Sequence, residues 1–571
     1  MNALIVLVGA GACLWIAYLT YGTFLATKIF NVDPSRPTPA HQLKDGQEYV
    51  PSKKQIMFGH HFTSIAGTGP IVGPAIGVIW GWVPAIIWIV LGSIFMGAVH
   101  DFSTLMVSLR NKGKSIVDCA NHLINHRVKT MFFMVVFLAL LIVIAIFGLV
   151  IALIFAQFPQ SVIPVWLEIP IAIALGAYAF KADKHIKRYT LIAVSLMFIT
   201  VLLGALYPLS IGSVFGIPST GVWTIILLVY AFIASVLPVT TLLQPRDYIN
   251  AWQLYITLGI VIVGMVVTSV VKGLPMAAPA FQLHPVGAPS MWPFLFITIA
   301  CGAISGFHSL ICSGTTSKQL NSESDAQFVG YGAMVTEGFL AVIVIIAVTA
   351  GLGLAYTSDS GAILTGASAW QAHYGTWMAS AGLGSKLSAV VTGCANMMAI
   401  LGIPMWLGQA LIGVFIASFA GTTLDSATRV QRYVISEFFQ GTSFKWGANK
   451  YVATGIAVIT AAILAFSSGA DGKGALVLWP MFGAVNQLLG GLALLVATAY
   501  LKSKGGLKWL VTAIPCAIIM VVTLWASFEN VCIFMKGDNH FLTVVNCVIL
   551  ILSIAISIEA IISIKRKKTG C

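Results

Sequence analysis

Apolar runs of roughly 20 residues recur from one end of this chain to the other, and each is long enough to cross a bilayer as a helix. Hydrophobic residues make up 58% of the 571 residues and charged residues only 9%. A water-soluble protein cannot cover its surface with such a composition. No alternating β-strand pattern competes with the runs. The sequence therefore predicts an all-α polytopic membrane protein.

The basic residues behind the net charge of +13 lie in alternate connections between the runs. They concentrate in residues 28–54, 110–129, 181–188, 429–450, 502–508 and 565–568. The intervening connections hold few charges, which is the positive-inside pattern. It predicts an outer N-terminus, a cytoplasmic C-terminus and an odd number of crossings. Because the charges are spread over short loops, nucleic acid is not expected as a partner.

We expect about fifteen transmembrane helices. Residues 3–27 lack the basic start of a signal peptide and are counted as the first span. Residues 357–404 are expected to form short or re-entrant helices on the outer side. Two crossings within 387–428 would place the basic connection after Arg429 outside, against the charge rule. An ordinary pair of spans that breaks this rule is the alternative.

One apolar segment, GHHFTSIAGTGPIVGPAIG (59–77), carries histidines, hydroxyls, glycines and prolines that a helix interior avoids. The glycines and prolines predict a broken helix whose backbone groups face a ligand near the membrane midplane. Close packing of small residues is the alternative, and it explains Gly73 and Gly77 well. It explains poorly the histidines and hydroxyls that precede the break.

A second segment, GFHSLICSGTT (306–316), aligns with residues 59–69 without gaps. The alignment pairs Gly59 with Gly306, His61 with His308, Gly67 with Gly314, and Thr68 with Thr315. The charge pattern makes the two segments cross in opposite directions, as expected of the inverted repeats of secondary transporters. The predicted substrate-binding set is His61, Thr63, Ser64, Gly67, Thr68, Gly69, His308, Ser309, Ser313, Gly314 and Thr315.

Two carboxylates are predicted to lie inside the membrane. Asp101 precedes the cytoplasmic end of its span by about eight residues, and Glu337 follows the cytoplasmic start of its own by a similar number, which gives both a depth of roughly 12 Å. Intramembrane ionisable groups usually mark ion or proton routes. With His60 and His100 nearby, Asp101 and Glu337 form the predicted proton-coupling set. A structural pair of Asp101 with a histidine or with Arg110 is the alternative.

Other polar stretches offer competing sites. SFAGTTLDSATR (418–429) supplies Ser418, Thr422, Thr423 and Asp425 as a candidate Na⁺ site, unless Asp425 only pairs with Arg429 at a helix end. In QPRDYIN (244–250), Gln244, Arg246 and Asp247 are interpreted as a cytoplasmic gate or a structural pair, and a role of Arg246 as substrate counter-ion is the alternative.

Enzyme motifs are weak in this chain. The nine cysteines are scattered without a CxxC pair, and HLINH (122–126) lacks the glutamate of a zinc-binding HExxH helix. No metal and no cofactor are expected, and the chain is not expected to be an enzyme. A membrane metalloenzyme that uses His60, His61, His100 and Asp101 as ligands is the competing class.

Several long stretches resemble the carbon starvation protein A family of bacterial inner-membrane transporters. They are GHHFTSIAGTGPIVGPAIG, GSIFMGAVHDFSTL, QPRDYIN, SGFHSLICSGTTSKQL, AMVTEGFLA and LWPMFGAVNQLLGGLAL. The resemblance implies uptake of peptides or of pyruvate, the latter linked to proton import, and a distant relation to the amino acid, polyamine and organocation transporters. It also implies a location in the bacterial inner membrane.

The resemblance and the residues together predict a single transmembrane transporter domain with an inverted-repeat core of discontinuous helices. Its expected parts are a first span and loop (1–56), a first repeat with extra spans (57–272), a second repeat (292–470) and C-terminal spans (471–571). The expected function is proton symport of a small carboxylate by alternating access. A Na⁺-coupled peptide or amino acid transporter is the alternative.

Overall fold

The structure is a computed structural model that describes residues 1–180, 185–358, 361–377, 382–440 and 443–566. Lys181, Lys184, Lys567 and Lys568, which contribute to the predicted charge pattern, lie outside these residues, as does part of the predicted outer segment.

The first half of the described chain is a series of helices. They are α1 (Ala3–Ala17), α2 (Pro39–Gln42), α3 (Lys54–Ile65), α4 (Gly69–Gly77), α5 (Trp82–Gly92), α6 (Ala98–Arg110), α7 (Ile116–Leu123), α8 (His126–Gln157), α9 (Val162–Leu175), α10 (Ile186–Leu206), α11 (Ser219–Val236) and α12 (Leu243–Val271). Local sequence sets their ends: the Asn125 side chain accepts a hydrogen bond from the Val128 amide to cap α8, and α8 stops two residues before Pro159.

The second half adds shorter pieces and one small hairpin. They are α13 (Met291–Thr298), α14 (Ala300–Ala303), α15 (Gly306–Gly314), α16 (Gly332–Ile346), strands β1 (Tyr356–Thr357) and β2 (Ile363–Leu364), α17 (Gly366–Tyr374), α18 (Leu383–Ala399), α19 (Met405–Gln440), α20 (Lys450–Ala465), α21 (Trp479–Ser503), α22 (Leu510–Lys536) and α23 (His540–Arg566). The two strands pair antiparallel within the predicted outer segment.

Twelve helices of the described chain are long and apolar enough to cross a membrane, and the bent pair α3 and α4 makes a thirteenth candidate. The count of about fifteen also requires crossings by the 16-residue α20 and by the interrupted α13 to α15. That count stays a prediction.

The helix bundle has two opposite ends, which we call faces. At one of them, the basic face, the Ser52 amide donates to the Gln319 carbonyl over 3.0 Å. α12 runs from this face to the opposite one, which we name the outer face after the predicted outer segment, and there the Ala3 amide donates to the Leu274 carbonyl over 2.8 Å. α23 ends at the basic face, because Glu559 accepts from Asn125 over 3.0 Å. The two ends of the described chain thus lie at opposite faces, as an odd number of crossings requires.

The two discontinuous spans lie at the centre of the helix bundle. α3 packs against α12 and α19, whereas α4, bent from α3 by 46°, packs against α14, α16 and α18. α15 packs between α6 and α21. α3 begins and α15 ends at the basic face, so the two spans run in opposite directions, in agreement with an inverted-repeat core.

Candidate functional site

The break between α3 and α4 leaves three backbone donors free near the centre of the bundle. Within the described chain, the amides of Gly67, Thr68 and Gly69 have no hydrogen-bond acceptor. Pro70 follows at the start of α4, a position where its missing N–H costs nothing. The break needs glycine, because a Cβ on Gly67 would meet Oγ1 of Thr423, and one on Gly69 would meet Sγ of Cys301.

A cavity of about 700 Å³ leads from the outer face to this break. Gly69, Cys301 and Asn486 line its inner end, and aromatic side chains line its walls: Phe294, Trp377, Trp479, Phe482 and Phe534. No charged side chain of the described residues lines it. Polar recognition in this cavity therefore depends on backbone groups and on neutral polar side chains, among them Thr298, Asn486 and Asn530.

The second break lies before the segment that the sequence alignment singled out. Ile304 and Ser305 are extended, whereas residues 306–314 form α15 on the basic-face side of the break. Asn486 of α21 holds this break, since its Oδ1 accepts from the Phe307 amide over 2.9 Å and its Nδ2 donates to Ser305 Oγ over 3.0 Å. The break of the second span therefore precedes residues 306–316, whereas the break of the first span lies within the aligned residues 59–69.

Most predicted substrate-binding residues lie on the basic-face half of the two broken spans. The hydroxyls of four of them donate to carbonyls of their own helical turn: Thr63, Ser309, Ser313 and Thr315. Ser64 shares a hydrogen bond of 3.1 Å with Ser426, and Gly314 faces Val430. Of the predicted set, Gly69 is the residue that lines the outer cavity. Substrate contact by the others stays a prediction.

Asp101 and Glu337 meet the same histidine in a fully buried group that we call the Asp101 cluster: His61, His100, Asp101, His308 and Glu337. His308 Nδ1 lies 2.9 Å from Asp101 Oδ2, and its Nε2 lies 3.3 Å from Glu337 Oε2. His100 Nδ1 lies 2.7 Å from Asp101 Oδ1. His308, predicted to bind substrate, is therefore the link between two members of the predicted proton-coupling set.

His61 lies at the edge of the Asp101 cluster. Its Nδ1 lies 2.8 Å from Thr316 Oγ1, and ligand-type atoms of His61, Asp101 and Cys312 all lie within 4.8 Å of one another. Arg110, the alternative partner of Asp101, instead pairs with Glu323, with Nε and Oε1 2.9 Å apart.

The structure does not bring His60 to the Asp101 cluster. His60 Nδ1 lies 2.5 Å from Asp247 Oδ2 in a second group, the Arg246 cluster. It contains the buried His60, Glu168, Arg246, Asp247 and Asp425 and the half-buried Tyr230. Adjacent residues of a helix point about 100° apart, so His60 and His61 face different neighbours. The four ligands of the metalloenzyme alternative are consequently not assembled at one place.

Two of the four candidate Na⁺ residues, Thr422 and Asp425, contact Arg246. Its Nη1 lies 2.6 Å from Asp425 Oδ2, and its Nη2 donates to Thr422 Oγ1 over 3.0 Å. Ser418 donates to Glu168 Oε2 over 2.6 Å, and Thr423 donates to the Ser64 carbonyl over 3.2 Å. Asp425 does not form the alternative pair with Arg429. A guanidinium therefore lies among the oxygens proposed for Na⁺.

Ion pairs close the basic face beneath both clusters. Arg429 and Arg432 of α19 hold Glu48, in the loop before α3, at 3.2 Å and 2.9 Å. Nearby, Gln244 donates to Ser52 over 2.8 Å and to Gln319 over 2.5 Å. Burial opposes ionisation of Glu48, but the two guanidinium groups outweigh it and hold the pKa of this carboxyl below its usual value. The molecule is thus closed at the basic face and open at the outer face.

Removal of the Glu48 charge is expected to destabilise this closure. Glu48→Gln leaves the buried Arg429 without its counter-ion and should lower the free energy of unfolding by about 1–3 kcal/mol at pH 7. Because the folded pKa of Glu48 is lowered, its stabilisation is present above the unfolded value of about 4.3 and is lost as the pH falls through the folded pKa. Thermal unfolding of both proteins in detergent at pH 7 and at about pH 3 tests this.

The exposed Lys44→Gln, in the same loop, serves as the control and should unfold like the wild type at both pH values. A difference between Glu48→Gln and wild type that is equally large at both pH values would contradict the ionic origin of this effect.

The sequence profile described as carbon starvation protein CstA matches residues 2–526. The chain belongs to this family. It is 33% identical to the peptide transporter CstA of Campylobacter jejuni, over 94% of this chain and 81% of that protein. It is 32% identical to the peptide transporter CstA of Bacillus subtilis, over 99% and 97%. It is 30% identical to the pyruvate/proton symporter BtsT of Escherichia coli K12, over 92% and 81%.

The fold comparison agrees with the family. A crystal structure of the Eremococcus coleocola manganese transporter superposes with a TM-score of 0.52 and 11% identity, and the match covers 92% of this chain and 99% of that one. This likeness concerns the fold alone. Together, the family and the fold make this CstA-family chain a multi-pass membrane transporter with an inverted-repeat core of discontinuous helices, and not an enzyme.

Sequence reasoning missed Glu168, which lies in the middle of the apolar run VIPVWLEIPIAIAL of α9. The signal was present, because a lone carboxylate in an apolar span is the pattern that identified Asp101 and Glu337. Tyr230 and Cys312 carried no comparable signal, since phenol and thiol groups are common in apolar helices.

Proposed function

We propose that this protein imports a small carboxylate nutrient, pyruvate or a short peptide, together with protons by alternating access. The observation that carries the proposal is the outer cavity. Its inner end reaches Gly69, whose free amide follows the free amides of Gly67 and Thr68. The names of two relatives, a peptide transporter and a pyruvate/proton symporter, support the same class of substrate.

The carboxylate of the substrate would bind the amides of Gly67, Thr68 and Gly69. Free N–H groups at a helix N-terminus favour an anion, and α4 points its N-terminus toward the centre of the bundle. The second half-helix is less suited to this role, because Asn486 already accepts from the Phe307 amide. The cavity volume of about 700 Å³ and its aromatic walls admit a short peptide as well as pyruvate.

The coupling proton would bind in the Asp101 cluster. His308 lies between the carboxylates of Asp101 and Glu337, so even a charged imidazole leaves one negative charge uncompensated in an apolar interior. Uptake of one proton would neutralise the group. This proton would change the contacts among α6, α15 and α16, and α15 begins at the second break.

Alternating access would exchange the open outer cavity for an opening at the basic face. The described state supports the outward-open half of that cycle, with the Glu48 ion pairs closed. Opening would separate Glu48 from Arg429 and Arg432 as α3 and its preceding loop move. We further propose that the basic face is cytoplasmic in the bacterial inner membrane, with the N-terminus outside.

Na⁺ coupling at Ser418, Thr422, Thr423 and Asp425 has less support. The guanidinium of Arg246 already occupies the positions beside Asp425 and Thr422 that a bound Na⁺ would need.

Reconstitution into liposomes tests the proposal. Labelled pyruvate or a labelled dipeptide should accumulate when the pH outside is lower than inside, by at least about tenfold for each pH unit. A Na⁺ gradient at equal pH should produce no accumulation. Uptake that follows Na⁺ and ignores pH would refute proton coupling, and absence of uptake of either substrate would refute the substrate class.

A further inference from the structure

The Arg246 cluster contains more carboxylates than cations. Glu168, Asp247 and Asp425 are at most 2% exposed, and Arg246 is the guanidinium that they share. His60, fully buried, adds a second cation only when it is protonated. Even then, three carboxylates face two positive charges. An uncompensated charge in an apolar interior is costly, so the cluster favours uptake of a further proton.

The distances indicate which carboxylate accepts that proton. Asp425 lies 2.6 Å from Arg246 Nη1 and also accepts from Tyr230 over 2.9 Å. Asp247 has His60 at 2.5 Å. Glu168 Oε1 lies 3.5 Å from Arg246 Nε, and Asp247 Oδ1 lies 3.8 Å from Arg246 Nη2. Of the three carboxylates, Glu168 is thus the one without a close basic partner of its own. Glu168 is therefore the acid that loses least when it becomes neutral.

The neighbours of Glu168 can accommodate its neutral form. Asn250 donates to Oε1 over 2.7 Å, and Ser418 donates to Oε2 over 2.6 Å. A serine hydroxyl can rotate and accept instead, so a proton on Oε2 would keep its hydrogen bond. α10, which also packs on α9, carries its titratable side chains only in its first turn, at Lys187, Arg188 and Tyr189. This first turn of α10 comes next after the end of α9 in the chain, whereas Glu168 lies in the middle of α9.

A small cavity gives a proton access to Glu168. It measures about 20 Å³ and is lined by residues that include Trp166, Glu168, Tyr230, Arg246 and Ser418. This volume accommodates one water molecule and excludes a larger cation such as the amino terminus of a peptide. A single water beside a carboxyl group is sufficient to deliver and remove a proton.

We propose that Glu168 is a second proton-binding site, separate from the Asp101 cluster, which is loaded and emptied during transport. His60 links the Arg246 cluster to α3, the helix that we propose moves, since this residue contacts Asp247 within the cluster. Movement of α3 away from α12 would remove the His60 cation from the cluster and strengthen proton binding at Glu168. The role in transport rests on the proposed function, whereas the protonation of Glu168 does not.

Infrared spectroscopy of the purified protein tests the protonation directly. Glu168→Gln, which matches the wild-type side chain in size, should remove one carbonyl band of a protonated carboxylic acid. Asp101→Asn should leave that band in place, and Ser418→Ala should shift it. The band should also change its intensity when the pH is titrated. A loss of carboxylate bands instead, or an acid band that is constant with pH, would overturn the proposal.

Voltage dependence of uptake tests the role in transport. Two protons with one monoanion move a net positive charge, so an inside-negative potential of about 59 mV should raise accumulation about tenfold. Glu168→Gln should lose this response and keep accumulation driven by the pH gradient. Wild-type uptake that ignores the potential would refute the coupling role. Failure of all uptake would refute the proposed function and leave the infrared result to decide on Glu168.

Discussion

Asp101→Asn is expected to abolish proton-driven uptake. Asparagine keeps the size of Asp101 but cannot hold a negative charge between His100 and His308, whose Nδ1 atoms lie 2.7 Å and 2.9 Å from its carboxylate. Loss of one partner from a buried charged pair costs about 3–5 kcal/mol, which corresponds to a fall of at least about 100-fold in pH-driven accumulation. The measurement is uptake into liposomes with and without an inward proton gradient.

Asp118→Asn is the matched control, because Asp118 also contacts basic side chains, but in α7 at the basic face. Its carboxylate lies 2.7 Å from Lys129 Nζ and 3.0 Å from Lys114 Nζ. This variant should keep its response to pH. If Asp101→Asn still accumulates substrate in proportion to the proton gradient, the Asp101 cluster is not the coupling site.

Gly67→Ala is expected to remove substrate binding. The added Cβ would contact Thr423 Oγ1 and would lie 2.7 Å from Cε1 of Phe147, in the break where we propose that the carboxylate binds. Overpacking of a tight site costs about 1–3 kcal/mol, and the displaced amides add to this. We expect uptake to fall by about 10–100-fold, with the Kd for substrate raised by a similar factor.

Gly148→Ala separates this effect from a general intolerance of alanine. Gly148 lies in α8 next to Phe147, and a Cβ there has no atom within 4 Å. Its uptake should resemble that of the wild type. Thermal unfolding of Gly67→Ala should also be compared with that of the wild type, to establish that the variant is folded. A folded Gly67→Ala protein that binds substrate normally would contradict the role given to the break.

Intramembrane carboxylates were the most informative residues that the sequence offered. A charged side chain in an apolar run is costly, and this rule identified Asp101 and Glu337, which share His308 in the structure. The same rule applied evenly would have identified Glu168. Its partners were beyond sequence reasoning, because Arg246 and Ser418 lie on helices far along the chain.

The two adjacent histidines show what sequence reasoning could not decide. Neighbouring residues of a helix point about 100° apart, and packing decides whether both reach one cluster. His100 and Asp101 do so, whereas His60 contacts Asp247 and His61 contacts Thr316. The position of the second break could not be read from the sequence match. A gapless match of four positions in a glycine-rich chain relates two segments but does not locate a helix break, and the break at Ile304 and Ser305 precedes the matched residues 306–316.

The sequence alone determined the membrane class, the alternation of basic connections and the break at Gly67 to Gly69. These depend on hydrophobic length, on loop charge and on local backbone preferences, all of which are properties of short segments. Only the tertiary structure decided that His60 joins Asp247 and that the second break lies at Ile304 and Ser305. These pairings depend on how each helix is rotated and which neighbour it packs against, and that choice is made by packing among spans distant in sequence.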